Sequence, residues 1–96
     1  MARARSRPET RTALRNALWT NLLASRAEAG CIRYDLVTGI SDPDEFVTIE
    51  QWRSEPDLAT HMRTPHVTAL LAAVPALVAA PPEIRTYVAV TGVTAG

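Results

Sequence analysis

In the run Phe46 to His66, FVTIEQWRSEPDLATHMRTPH, an alternating segment that carries a carboxylate gives way to two helix starts that carry both histidines of the chain. Glu50 and Trp52 are two residues apart, so in a strand they share one face. His61 follows in a stretch of helical spacing, on the same side as Leu58. A strand-borne carboxylate and a helix-borne imidazole can therefore converge under a lid of apolar side chains, an arrangement suited to proton abstraction. A carboxylate fixes the tautomer of the ring it holds, and imidazole is the side chain whose ordinary titration lies nearest neutrality. The same residues also fit a buried pair tying helix to sheet, with Trp52 as core. His66, just inside the second helical segment, faces the positive end of the helix dipole, which favours a neutral ring able to accept a proton or hydrogen bond. A capping or surface role fits it as well. Tyr34 offers a phenolic donor, or packing with a satisfied hydroxyl.

Other chemistries leave weaker marks. His61 and His66 are five apart with Pro65 between them, not the four that stacks two imidazoles on one helical face, so a two-His metal site is not expected. The sequence has no Gly-rich phosphate loop, nucleophile elbow or paired catalytic carboxylates. That fits cofactor-free chemistry, and equally a protein that binds without turnover. The single cysteine, Cys31, leaves no intramolecular disulfide and no cysteine-rich metal site. Opening a strand, it reads as a small buried hydrophobe rather than a reactive thiol.

Ninety-six residues, 47% hydrophobic and 21% charged, hold one core, so a single domain over residues 1–96 is expected. Net charge is zero, and the field that would draw the whole molecule to nucleic acid or an anionic membrane is missing. All ten basic residues are Arg and five lie in the first fifteen positions. Because Pro8, Glu9 and Thr10 start a helical pattern at once, that cluster reads as the solvated ends of a strand and a helix rather than a nucleic-acid arm or a targeting peptide. The longest apolar run, Ala69 to Ala80, is cut by Pro75 and falls short of the ~18 residues of a membrane span. The expectation is a soluble, cytoplasmic protein without nucleic-acid or membrane partners.

The elements that must position these residues follow from periodicity. Met1 to Arg7 alternates but lacks β-branched and aromatic residues, a weak strand. Pro8 suits a first helical turn, and Leu14, Ala17, Leu18, Asn21, Leu22 and Ser25 then share a face, with Trp19 and Leu23 on its shoulder, of a helix running to about Glu28. Gly30 is expected to take a left-handed cap there. Cys31 to Val37 reads as a strand with Ile32, Tyr34 and Leu36 on one face. The turn-rich TGISDPDE follows, and then the strand Phe46 to Trp52, making an antiparallel hairpin. Ser54 and Thr64 are candidate N-caps of two short helices separated at Arg63-Thr64-Pro65, the second ending at Pro75. Glu83 to Thr91, dense in β-branched residues, reads as a final strand.

The order β-α-β-β-α-β predicts a ferredoxin-like α+β fold, a four-stranded antiparallel sheet with helices on one face. Val47 and Ile49 oppose Phe46, Thr48, Glu50 and Trp52, so both faces of the third strand carry apolar groups and a second copy is expected to cover the open one. The runs EAGCIRYDL, DPDEFVTIEQW and ATHMRTPHV, with the ordered series Gly30-Cys31, Tyr34, Glu50, Trp52, His61 and Pro65-His66, resemble the antibiotic biosynthesis monooxygenase family over roughly Pro8 to Val90. The resemblance implies a homodimeric α+β barrel and a first strand longer and more hydrophobic than MARARSRP.

The resemblance further implies a monooxygenase without cofactor, acting on a small aromatic substrate, a phenol, hydroquinone or anthrone, with O2. His61 would be the base, Glu50 its orienting partner, and Trp52, Tyr34 and His66 the substrate contacts. An isomerase on the same scaffold and a non-catalytic ligand-binding accessory protein are the alternatives. The haem-degrading relatives of this fold fit less well, since Ala2, His61 and Leu71 stand where those enzymes carry Asn, Trp and His.

Overall fold

A computed structural model describes residues 1–91 of the chain. Its elements run β1 (Ala2–Arg5), α1 (Arg11–Arg26), β2 (Cys31–Thr38), β3 (Glu45–Trp52), α2 (Glu55–Met62), α3 (Pro65–Ala73) and β4 (Glu83–Ile84), with single 3-10 turns before α1 and after α3. The four strands form one antiparallel sheet in the order β2-β3-β1-β4, the ferredoxin-like arrangement.

The expected caps hold. The Ser54 hydroxyl accepts from the Asp57 N–H at 3.2 Å and the Thr64 hydroxyl from the Val67 N–H at 3.4 Å, each satisfying an orphan donor at a helix start. Leu14, Leu18, Phe46, Val74 and Val78 make the core, packed with Ala4, Leu36, Leu70 and Leu77 between the helices and one face of the sheet. Phe46 and Thr48 are buried on that face, whereas Ile49 points away from it and is exposed, as the alternation of β3 requires. β1 is short, as its composition foretold, yet central: Ala2 pairs with Thr48 on β3 and with Ile84 on β4.

Three expectations need correction. Gly30 lies outside the left-handed region, and α1 ends earlier, at Arg26, with an ordinary helical Ala27 following. A glycine is required there for a different reason, because a Cβ would collide with the Asp57 side chain at the start of α2. In β2, Cys31 pairs with Trp52 but Arg33 with Gln51, so a bulge at Ile32 breaks the alternation. Cys31 thereby joins Tyr34 on the face towards the helices, and Ile32 is left exposed. Finally, only Glu83–Ile84 of the expected Glu83 to Thr91 strand is formed; Arg85 still exchanges hydrogen bonds with the Met1 backbone, its N–H donating to the Met1 carbonyl and its carbonyl accepting from the Met1 amino group, each at 2.9 Å, and Thr86 to Thr91 runs exposed beyond it. These residues have strand propensity, but among the described residues the pairing along β1 extends only as far as Met1 and does not reach them.

Candidate active site

His61 sits in the last turn of α2 and is only 3% exposed. Its position is fixed by the break between α2 and α3, where the Thr64 hydroxyl and N–H both donate to the His61 carbonyl, at 2.7 and 3.1 Å. The Trp52 indole lies over the ring with centroids 4.3 Å apart, and Tyr34 approaches from β2 at 6.0 Å. Strand and helix therefore bring His61, Trp52 and Tyr34 together with Glu50 close by, but the expected Glu50–His61 pairing is not made, the nearest approach being 3.9 Å.

The carboxylate in direct contact with His61 is Glu28. Its Oε2 lies 2.6 Å from His61 Nδ1 and 2.9 Å from His66 Nε2. An ionised carboxylate only accepts, so towards Glu28 the two facing ring nitrogens would be donors, and a neutral His61 ring in that tautomer would carry its lone pair on Nε2. Glu50 stands on that other side, with Oε1 3.9 Å from Nε2, beyond hydrogen-bond reach. Glu50 is itself held: Oε1 accepts from the Trp52 indole N–H at 3.1 Å and Oε2 from the Thr48 hydroxyl at 2.8 Å. The Thr48 oxygen in turn accepts from the Ala2 backbone N–H at 3.2 Å, so even short β1 contributes to the site.

Glu28 lies in the turn after α1 and was not singled out from spacing or motif. It does open the run EAGCIRYDL, the one signal in the sequence that contains it. Asn21 and Ser25 were visible only as members of the buried face of α1. Both line the same interior, where Asn21 Nδ2 donates to the Tyr34 hydroxyl at 2.9 Å. Asn21 Oδ1 and Ser25 Oγ are buried without a partner, so the site holds unused polar atoms next to the phenol.

Burial raises the Tyr34 pKa well above its ordinary value, with the Glu50 charge adding to the effect and neighbouring Thr48, Asn21 and Ser25 partly offsetting it. Tyr34 is therefore a neutral donor rather than a base. The half-buried Cys31 thiol is raised too, first by desolvation and then by Glu28 and Glu50, which keeps it protonated and a poor nucleophile.

A groove of about 330 Å³ opens between α1 and α3, lined by Ala17, Thr20, Asn21, His66, Ala69 and Leu70 among others. Small side chains on both helices line it together with His66, whose Nε2 meets Glu28, and Asn21, whose Nδ2 donates to Tyr34. The five-residue spacing that argued against two convergent imidazoles presumes one continuous helix. Because α3 restarts at Pro65, His61 and His66 instead meet at Glu28, and their ligand atoms all lie within 4.8 Å of one another.

The sequence and the fold match those of known proteins. The model of the antibiotic biosynthesis monooxygenase family matches residues 1–73. The Mycobacterium tuberculosis protein named "Putative monooxygenase Rv0793" is 41% identical over 66 residues, 69% of this chain and 64% of that protein. Its solved structure superposes with a TM-score of 0.81 at 34% identity, covering 93% of each chain. The Bacillus subtilis protein named "Putative monooxygenase YcnE" is 30% identical over 78 residues, 81% of this chain and 82% of that one. A Synechocystis relative is matched over only 43% of its length, so the first curated relatives extend well beyond the matched segment. By family match, sequence identity and fold alike, the chain belongs to the antibiotic biosynthesis monooxygenase family.

Proposed function

We propose that this chain is a cofactor-free monooxygenase that deprotonates a small phenol, hydroquinone or anthrone in an apolar pocket and lets the resulting anion reduce O2. The observation that carries this reading is the His61 ring, buried and tied to Glu28 through Nδ1, an arrangement that in the neutral ring leaves Nε2 as the acceptor. Such a ring is a preorganised general base in a site from which water is largely excluded. A substrate hydroxyl placed between His61 Nε2 and Glu50 would give up its proton to the imidazole. Tyr34, kept neutral, donates to a substrate oxygen, and Trp52 supplies the flat apolar wall. His66, with its side chain 23% exposed, is the first of these residues that a ligand in the α1–α3 groove would meet. The stoichiometry needs no external reductant: a hydroquinone gives a hydroxyquinone, losing two hydrogens and gaining one oxygen of O2 while the other leaves as water.

The expected result is substrate-dependent oxygen uptake by metal-free, flavin-free protein against a panel of quinols and anthrones, lost in His61→Ala. Absence of uptake across the panel would overturn the reading. Proton exchange at the substrate without oxygen consumption would identify an isomerase instead. Tight binding of an aromatic ligand, unchanged in His61→Ala and without turnover, would identify an accessory binding protein. The working form in this reading is a homodimer, because the sheet face away from the helices exposes Val37 and Ile49 and the segment after β4 exposes Tyr87, Val88 and Val90.

A further inference from the structure

We infer that Glu28, His61 and His66 form a binding site for one divalent transition-metal ion of the zinc type. The donor set is one carboxylate oxygen and two imidazole nitrogens, the chemistry such ions prefer. It comes from three separate elements, the turn after α1, the end of α2 and the first turn of α3, so the backbone holds it together without help from the ion. Glu28 Oε2 lies 2.6 Å from His61 Nδ1 and 2.9 Å from His66 Nε2, and all three ligand atoms fall within 4.8 Å of one another. Ligands about 2.1 Å from a zinc ion in tetrahedral geometry stand roughly 3.4 Å apart, so side-chain shifts of about an ångström suffice.

A second, independent feature favours the ion. When Nδ1 of a neutral imidazole binds a metal, the one ring proton must sit on Nε2, and such rings characteristically donate it to a carboxylate that fixes their orientation. Glu50 stands on that side of the ring, anchored by Trp52 and Thr48 with Oε1 3.9 Å from His61 Nε2, so that a shift of about an ångström brings it into hydrogen-bond reach. Carboxylates thus flank both ring nitrogens, Glu28 in contact and Glu50 one small shift away. His66 leaves the site accessible from the groove, and a water can complete the coordination.

The consequence rests on the catalytic reading above. Metal at Nδ1 moves the ring proton to Nε2, the atom required as acceptor, so zinc and substrate deprotonation exclude one another. The metal is an inhibitor in this scheme and takes no part in the oxidation.

The test uses the full chain without a histidine tag, stripped with chelator and titrated with zinc chloride by calorimetry, and with cobalt chloride by visible absorption. One zinc per chain is expected, with cobalt bands of a four- or five-coordinate nitrogen and oxygen site. Glu28→Gln and His66→Ala should each weaken binding at least tenfold, and Glu50→Gln about tenfold as the loss of an outer partner. Circular dichroism and the melting temperature of each variant report whether it is folded. His66→Ala, which alters a partly exposed ring, supplies the decision if the buried variants unfold. No saturable binding, or binding unchanged in folded His66→Ala and Glu28→Gln, overturns the site. The titration does not depend on turnover: a protein that binds zinc but oxidises no substrate leaves the site standing and removes only the oxygenase reading. Zinc binding with undiminished oxygen uptake would overturn the mutual exclusion.

Discussion

At the scale of single residues, Tyr34 gives the site its sharpest pH signature. Its phenol is 4% exposed, accepts from Asn21 and faces the charge of Glu50, and its pKa is raised accordingly. The folded state therefore holds the Tyr34 proton more tightly than the unfolded chain, where the group titrates near ~10. The stability this confers is complete below that value and declines as pH rises above it. Tyr34→Phe should flatten the alkaline decline in melting temperature. At neutral pH it should cost about 1–3 kcal/mol in urea unfolding, because Asn21 Nδ2 is left buried without an acceptor. A wild-type alkaline profile superimposable on that of Tyr34→Phe would refute the assignment. The contrast with Glu28 shows what was legible at this scale. Alternation and helical spacing found Glu50, Trp52, Tyr34 and His61, because each lies on a regular element whose faces can be counted. Glu28 lies beyond the last turn of α1 and reaches His61 across 33 positions of sequence, a contact that no local period encodes.

At the scale of elements, the caps and the hairpin were readable because their chemistry is local, whereas the junction from α1 into β2 was not. There Gly30 sits against Asp57, its carbonyl accepts from the Arg53 N–H at 2.8 Å, and the Ile32 bulge turns Cys31 inward. Each of these is a contact between segments distant in sequence. The two accounts of Gly30 differ in what they forbid. A left-handed cap would tolerate Asn about as well as Gly, whereas a close approach rejects any side chain. Gly30→Ala and Gly30→Asn should therefore both destabilise the fold, by about 1–3 kcal/mol in urea unfolding. A near-neutral Gly30→Asn beside a destabilised Gly30→Ala would restore the cap. Because this turn also carries Glu28, either substitution should weaken zinc binding as well.

At the scale of the whole molecule, the described residues hold more strand-forming sequence than they pair among themselves. β4 contributes two residues to the sheet, while Arg85 to Val90 continues in a β-rich pattern with Tyr87 68% and Val88 72% exposed. On the sheet face away from the helices, Val37 and Ile49 are exposed among the ion pairs Arg3–Glu45 and Arg33–Asp35. Burying each such apolar side chain is worth about 1.5–3 kcal/mol, so several together can offset the cost of association. A second copy presents the same unpaired arm and the same apolar face, which makes a two-fold arrangement self-complementary. Sedimentation equilibrium of the full chain should give twice the monomer mass at micromolar concentration. Ile49→Lys should weaken the dimer at least tenfold through the sheet face, and Val88→Asp should do so through the arm. Both positions are exposed within one chain, so neither change should unfold the protomer, and circular dichroism checks this. A wild-type chain that sediments as a monomer would remove the dimer. A dimer weakened by Ile49→Lys and untouched by Val88→Asp would confine the interface to the sheet face and leave the arm outside it.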